Sequence, residues 1–127
     1  MTATLADARV AQIHISVTDL ERSVAFYRDT LGLPFLFQVP GQPMAFFDCG
    51  GTRLYLAVPE PGFHSQPILY LGVASIDDAH AALVGAGVEF LDEPHVVHRD
   101  DAHELWLAFF ADPDGCRLAL MEERPVD

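Results

Sequence analysis

Three side chains have the type and placement to do chemistry: Gln12, His14 and Tyr55. Gln12 and His14 sit two residues apart in the alternating run VAQIHISV, so on an extended strand they project from one face. An imidazole titrates near neutrality, so His14 can take up or deliver a proton, and a phenol such as Tyr55 can pass it on. Two readings of His14 stand side by side. It is a general base toward a bound small molecule, or a partly buried histidine bonded to a neighbouring hydroxyl or carbonyl.

Other candidates read more weakly. Arg53 and Arg117 occupy matching places in two similar stretches, and offer either an anion clamp or two solvated strand starts beside acidic turns. HVVHRDDAHE carries His95, His98, His103 and Glu104, but its spacing matches no compact zinc site. It reads as a polar loop, Asp92–Ala102, able to cover the mouth of a cavity, with His103 at its end. His64 stands alone. Cys49 and Cys116 each lie near a turn and read as two reduced thiols.

These residues need elements to position them, and the chain writes its elements twice. LWLAFFADPDGCRLALM (105–121) is a strand, a tight acidic turn and a strand: Pro presets φ, Asp bonds back to the backbone and Gly takes positive φ. FFDCGGTRLYL (46–56) carries the same pattern, with Gly51, Arg53, Leu54 and Leu56 matching Gly115, Arg117, Leu118 and Leu120 at one constant spacing. Each hairpin is preceded by a strand, a helix and a short strand. In the first half these are Val10–Val17, a helix capped by Asp19 and ended by Gly32, and Phe35–Val39. In the second they are Ile68–Val73, a helix over Ile76–Ala86 capped by Ser75, and Val88–Leu91. The order is βαβββ, repeated: a first module over 10–58, a linker over 59–67 rich in Pro and Gly, a second module over 68–123 and an acidic tail. The expectation is one α+β domain over 1–127, a cupped mixed sheet with its helices on the outer face.

Composition narrows the partners. Half of the 127 residues are hydrophobic and nine are Phe, enough for a sizeable core. No apolar run reaches the roughly 18 residues of a membrane span, and the first residues lack a basic region followed by an apolar one, so a cytoplasmic protein is expected. Nineteen acidic residues against seven arginines, with no lysine, give a net charge of −12. Such a chain repels phosphate backbones and anionic membranes, and excludes a nucleic-acid or membrane partner.

The repeated βαβββ order, DLERSVAFYRDTLGLPF at the first helix and FFADPDGCRLALMEE at the end together resemble the vicinal oxygen chelate superfamily. This is the group of glyoxalase I, extradiol dioxygenases, methylmalonyl-CoA epimerase and the bleomycin and fosfomycin resistance proteins. The resemblance runs from about Val10 to Glu123. It implies a cup holding a small molecule, and frequently a homodimer. It also implies metal ligands on the first and last strands of each half, positions that here hold Gln12, Tyr55, Ile68 and Ala119. Gln serves as a ligand in some such proteins, but Ile68 and Ala119 have no donor atom and a neutral phenol is a poor ligand. A catalytic centre asks for about three His, Cys or carboxylate ligands. The expectation is therefore no cofactor and no standard metal site.

By strand parity the cup carries Gln12, His14, Arg53, Tyr55, Ile68, Tyr70, Arg117, Ala119 and Met121, joined by Trp106, Ala108 and Phe110 within one residue of register. Such a lining suits an aromatic or amphipathic metabolite. Sequestration of that ligand is the first expectation. The alternative is an enzyme: a metal-dependent lyase, isomerase or dioxygenase, or a metal-free proton-transfer catalyst using His14 beside Tyr55 or Tyr70.

Overall fold

The computed structural model describes residues 6, 10–61 and 67–126. Eight strands form two four-stranded mixed sheets with the same internal order. The first comprises β1 (Gln12–Ser16), β2 (Phe35–Gln38), β3 (Met44–Cys49) and β4 (Thr52–Ala57), arranged β1-β4-β3-β2. The second comprises β5 (Leu69–Gly72), β6 (His95–Arg99), β7 (His103–Ala111) and β8 (Arg117–Pro125), arranged β5-β8-β7-β6. In each half the first strand runs parallel to the last, and the other pairs are antiparallel. The repeat read from the hairpins is thus a repeat of whole topology.

Helix α1 (Leu20–Ala25) begins where Asp19 accepts a bond from the Arg22 N–H at 3.1 Å. It continues as a π-helical turn over Phe26–Thr30, where the Leu31 N–H reaches the Phe26 carbonyl at 2.9 Å, and the chain leaves it at Gly32 with φ 77°. Helix α2 (Ile76–Gly85) is capped by Ser75, and its first free N–H, that of Ile76, donates to Glu122 at 2.7 Å. That bond satisfies a donor every helix start leaves over.

One core joins the halves. Ile15, Val17, Phe47, Leu54 and Leu56 of the first sheet and Leu69, Phe110, Leu118 and Leu120 of the second are buried in a single cluster with Tyr27 and Ile76 from the helices. Helices and core therefore share one face of each sheet, leaving the opposite faces for a site. Between the halves, Asp114 at the β7–β8 turn is gathered by α1: it accepts from the Thr18 N–H at 3.0 Å, from the Thr18 hydroxyl, from Ser23 at 3.2 Å and from Arg22 at 3.3 Å.

Two expected boundaries move. The polar stretch expected as a loop contains β6, because Glu104 to Leu107 of β7 continue the ladder and hold His95–Arg99 as an edge strand. Within the stretch expected as an acidic tail, Glu122–Pro125 lies in β8, paired with His103 to Trp106. Both segments are polar because their outer faces meet solvent, which composition alone does not distinguish from a loop. Conversely, the strand expected at Val88–Leu91 reduces to a single bridge between Phe90 and Phe110. His64 and most of the linker expected at 59–67 lie outside the described residues.

Candidate functional site

The open face of the first sheet is a small grid whose rows cross the strands. Parallel register sets Gln12 beside Arg53, His14 beside Tyr55 and Ser16 beside Ala57. Antiparallel register then sets Arg53 against Asp48, Tyr55 against Phe46 and Ala57 against Met44, and on the edge strand Phe37 against Phe46. The middle row is aromatic across all four strands. His14 and Tyr55 have ring centroids 4.9 Å apart, Tyr55 and Phe46 stack at 4.8 Å with planes 8° apart, and Phe46 and Phe37 stack at 4.6 Å.

What makes this stripe possible is the tight turn between β3 and β4. Gly50 and Gly51 have φ of 61° and 95°, the two positive values a two-residue hairpin of this kind requires. Cys49 consequently pairs with Thr52, and counting outward brings Phe46 opposite Tyr55. Two of the four rings, His14 and Tyr55, help to line a cavity of about 770 Å³ together with Gln12, Met44, Gln42 and Glu60. Among the described residues, its lining comes from the first half and from Pro59 and Glu60 of the linker. Burial lowers the His14 pKa from the ordinary 6.5, so its imidazole is neutral at pH 7.

The second sheet repeats the plan with the aromatic middle removed. Tyr70 pairs with Ala119 and Ala119 with Phe109, so alanine stands where the first half has Tyr55. Tyr70 meets Phe109 edge-on at 6.1 Å, half its surface exposed. Ile68 lies just before β5, beside a separate 280 Å³ cleft against Val10 and Ile13. Arg117 lies over the Phe109 ring at 5.9 Å and Arg53 over Phe46 at 5.5 Å, the same unit in both halves.

Gln12, His14, Arg53 and Tyr55 are thus brought together on one face, and Tyr70, Arg117 and Ala119 on the corresponding face of the second sheet. Trp106, Ala108 and Phe110 are not on it. They pair with Glu122, Leu120 and Leu118, and point to the helix side: Phe110 is wholly buried in the core and Trp106 lies under Arg124 at 4.2 Å. The residue before each turns outward instead, so Phe109 and Leu107 face the open side. Phe46 and Phe37, absent from the expected lining, are the additions of most consequence.

A metal centre does not fit these donors. Among the described residues no group of three or more His, Cys, Asp and Glu side chains is placed to hold an ion. Of the four ligand positions implied by the resemblance, Tyr55 is stacked on Phe46, and Ile68 and Ala119 offer no donor. His95 and His98 share the open face of the β6 edge with Leu107 and Leu105 as cross-strand partners, and both are exposed. Burial pushes the Cys116 thiol up to about 11, and Cys49 is also raised by burial, so both stay protonated at neutral pH.

Known proteins agree with this architecture. The model of the Glyoxalase/Bleomycin resistance protein/Dioxygenase superfamily matches residues 9–120. The chain belongs to that superfamily. It is 33% identical over 108 residues to the metallothiol transferase FosB of Lysinibacillus sphaericus, covering 79% of this chain and 72% of that one. It is similar in structure to TnmS3, an antibiotic binding protein from Streptomyces sp. CB03234, at 26% identity and a TM-score of 0.76, covering 95% of this chain and all of that one. A superfamily member from Sphaerobacter thermophilus superposes with a TM-score of 0.75 at 27% identity, covering 91% and 97%. Within this superfamily the fold alone does not select the chemistry, so the side chains must.

Proposed function

We propose that this superfamily member binds a planar aromatic small molecule on the His14–Tyr55–Phe46–Phe37 stripe and sequesters it without a metal ion. The continuous stack carries the reading. Rings spaced 4.6–4.9 Å apart along the row turn their faces toward one another and their edges toward the open side, where an aromatic ligand gains edge-to-face and dispersion contacts. The cavity volume of about 770 Å³ lies within the range of small-molecule sites. The likeness to an antibiotic binding protein supports binding rather than turnover. A thiol-transfer chemistry like that of the Lysinibacillus relative would ask for metal ligands where this chain has Ile68 and Ala119.

The same reading includes a homodimer in the cytoplasm. The chain offers a lined cavity on its first-half face and an open second-half face, where Tyr70 and Arg117 are exposed. A second copy that set its second-half face over the first-half cavity would close it and bury both. No helix among the described residues is long and apolar enough to cross a membrane.

The test is a fluorescence titration with the neutral aromatic probe N-phenyl-1-naphthylamine against wild type, Tyr55→Ala and Phe46→Ala. Each truncation is expected to weaken binding about tenfold, at roughly 1–3 kcal/mol per stacked ring. Unchanged affinity in both variants, with circular dichroism showing an intact fold, would sink the proposal.

A further inference from the structure

Six arginines lie among the described residues, and four are neutralised by carboxylates: Arg22 by Asp114, Arg28 by Asp29, Arg99 by Glu104 and Arg124 by Glu122 and Asp77. The other two, Arg53 and Arg117, form no ion pair among the described residues. They are also the matching positions of the repeat, and both lie on the open faces, each guanidinium over a phenylalanine ring. Asp48 faces Arg53 across the β3–β4 ladder, but its Oδ1 is bonded to the Gly51 N–H at 3.2 Å as part of the turn. In a chain with a net charge of −12, carboxylates are plentiful, so a cation left without one stands out.

A guanidinium lying over a ring has its path restricted while its N–H donors still point outward, and those donors suit an oxyanion. The protein's overall negative charge does not forbid such a ligand. Charges farther than a Debye length of about 8 Å are largely screened, whereas a charge-assisted bond at contact is not. Polarity along the strand also fits. Arg53 is the second residue of β4, and Glu60 lies beyond the strand's far end at Ala57, itself roughly 13 Å from Arg53 at about 3.3 Å per residue. Along the strand direction, Arg53 therefore flanks the aromatic row on one side and Glu60 lies beyond it on the other.

We infer that the aromatic ligand carries an anionic group, a carboxylate, sulfonate or phosphonate, and that Arg53 is the residue that selects for it. This rests on the first-sheet face being the ligand site. The bound molecule is oriented by it: its oxyanion lies at the Gln12–Arg53 row, its rings along the aromatic row, and its uncharged or donor-bearing end toward Glu60.

Two probes with one ring skeleton separate the claims. 8-Anilinonaphthalene-1-sulfonate differs from N-phenyl-1-naphthylamine by the sulfonate alone. Both are titrated into wild type, Arg53→Gln and Arg53→Lys. The expected result is a preference of about fivefold or more for the sulfonate in wild type, lost in Arg53→Gln and largely kept in Arg53→Lys, read as the ratio of the two probes' affinities within each variant. Equal affinities in wild type, or a preference that survives in Arg53→Gln, would overturn the role of Arg53 while leaving the aromatic site standing. Failure of both probes to bind wild type would remove the site reading along with the inference, and failure of the sulfonate probe alone would overturn only the role of Arg53.

Discussion

The Tyr27 hydroxyl donates to the Asp112 carboxylate at 2.9 Å, joining the first helix to the last hairpin across 85 residues of chain. Both groups are buried, and Asp112 also accepts from the N–H groups of Asp114 and Cys116 at 2.9 and 2.8 Å. Burial raises the pKa of each, and the neighbouring Asp112 raises Tyr27 further. At the matching joint on the other side, the positions of Ser23, Tyr27 and Asp112 fall to Ala79, Leu83 and Cys49. There an apolar cleft of about 560 Å³ replaces the polar lock. The two halves are therefore held together unequally.

Removing that hydroxyl should cost stability and nothing else. Tyr27→Phe keeps the ring in the core and deprives a buried carboxylate of one of its three donors, a loss of about 1–3 kcal/mol. Urea unfolding should show a lower midpoint with an unchanged slope. An unchanged midpoint would mean that this hydrogen bond contributes nothing to holding the two halves together.

Trp106 tests which face of the second sheet is the open one. It packs against the core under Arg124, 4.2 Å from the guanidinium carbon. Trp106→Phe should lower the melting temperature and leave the affinity for N-phenyl-1-naphthylamine unchanged. A loss of affinity at unchanged stability would put Trp106 in the cavity and reverse the register of β7.

The His14 imidazole gives the protein an acid-side dependence. Its folded pKa is lowered by burial from the ordinary 6.5, so the folded state binds fewer protons than the unfolded one. The stability it contributes is fully present above pH 6.5 and is lost as the pH falls through the lowered folded value. Thermal melts of wild type and His14→Gln between pH 7.5 and 5 should diverge in that sense, with the wild type losing more stability. Parallel curves would show that His14 titrates as it does in solvent.

Metal independence is measured directly. Protein purified without an affinity tag should carry substoichiometric metal by elemental mass spectrometry, and dialysis against a chelator should not change probe affinity. About one equivalent of zinc, nickel, manganese or iron per chain, with affinity lost on chelation, would overturn the metal-free reading and make His14 the first ligand to examine.

The sequence by itself determined the repeat, the βαβββ order of each half and the shared face of His14 and Tyr55. These follow from local rules: alternation assigns a face, Asp19 and Ser75 mark helix starts, and a glycine pair makes a hairpin. The opposition of Phe46 and Tyr55 follows from the two-residue turn between Cys49 and Thr52, yet the expected lining left Phe46 out. The second hairpin was less legible because its turn is longer. There Asp112 to Cys116 intervene, Ala111 pairs with Arg117, and the count then turns Phe109 outward and Phe110 inward. A one-residue difference in loop register moves every side chain to the other face, which is why Trp106 and Phe110 belong to the core.

Only the tertiary structure decided what depends on distant segments meeting. That His95–Arg99 is a strand depends on β7 offering its free edge, and no property of the polar segment announces it. That Asp114 is surrounded by Thr18, Arg22 and Ser23 depends on the second half closing onto the first. That Arg53 and Arg117 form no ion pair among the described residues depends on where the acidic side chains come to rest. Short-range order is set by backbone sterics and alternation. The availability of a charge is set by its neighbours in space, and those are chosen when the chain folds.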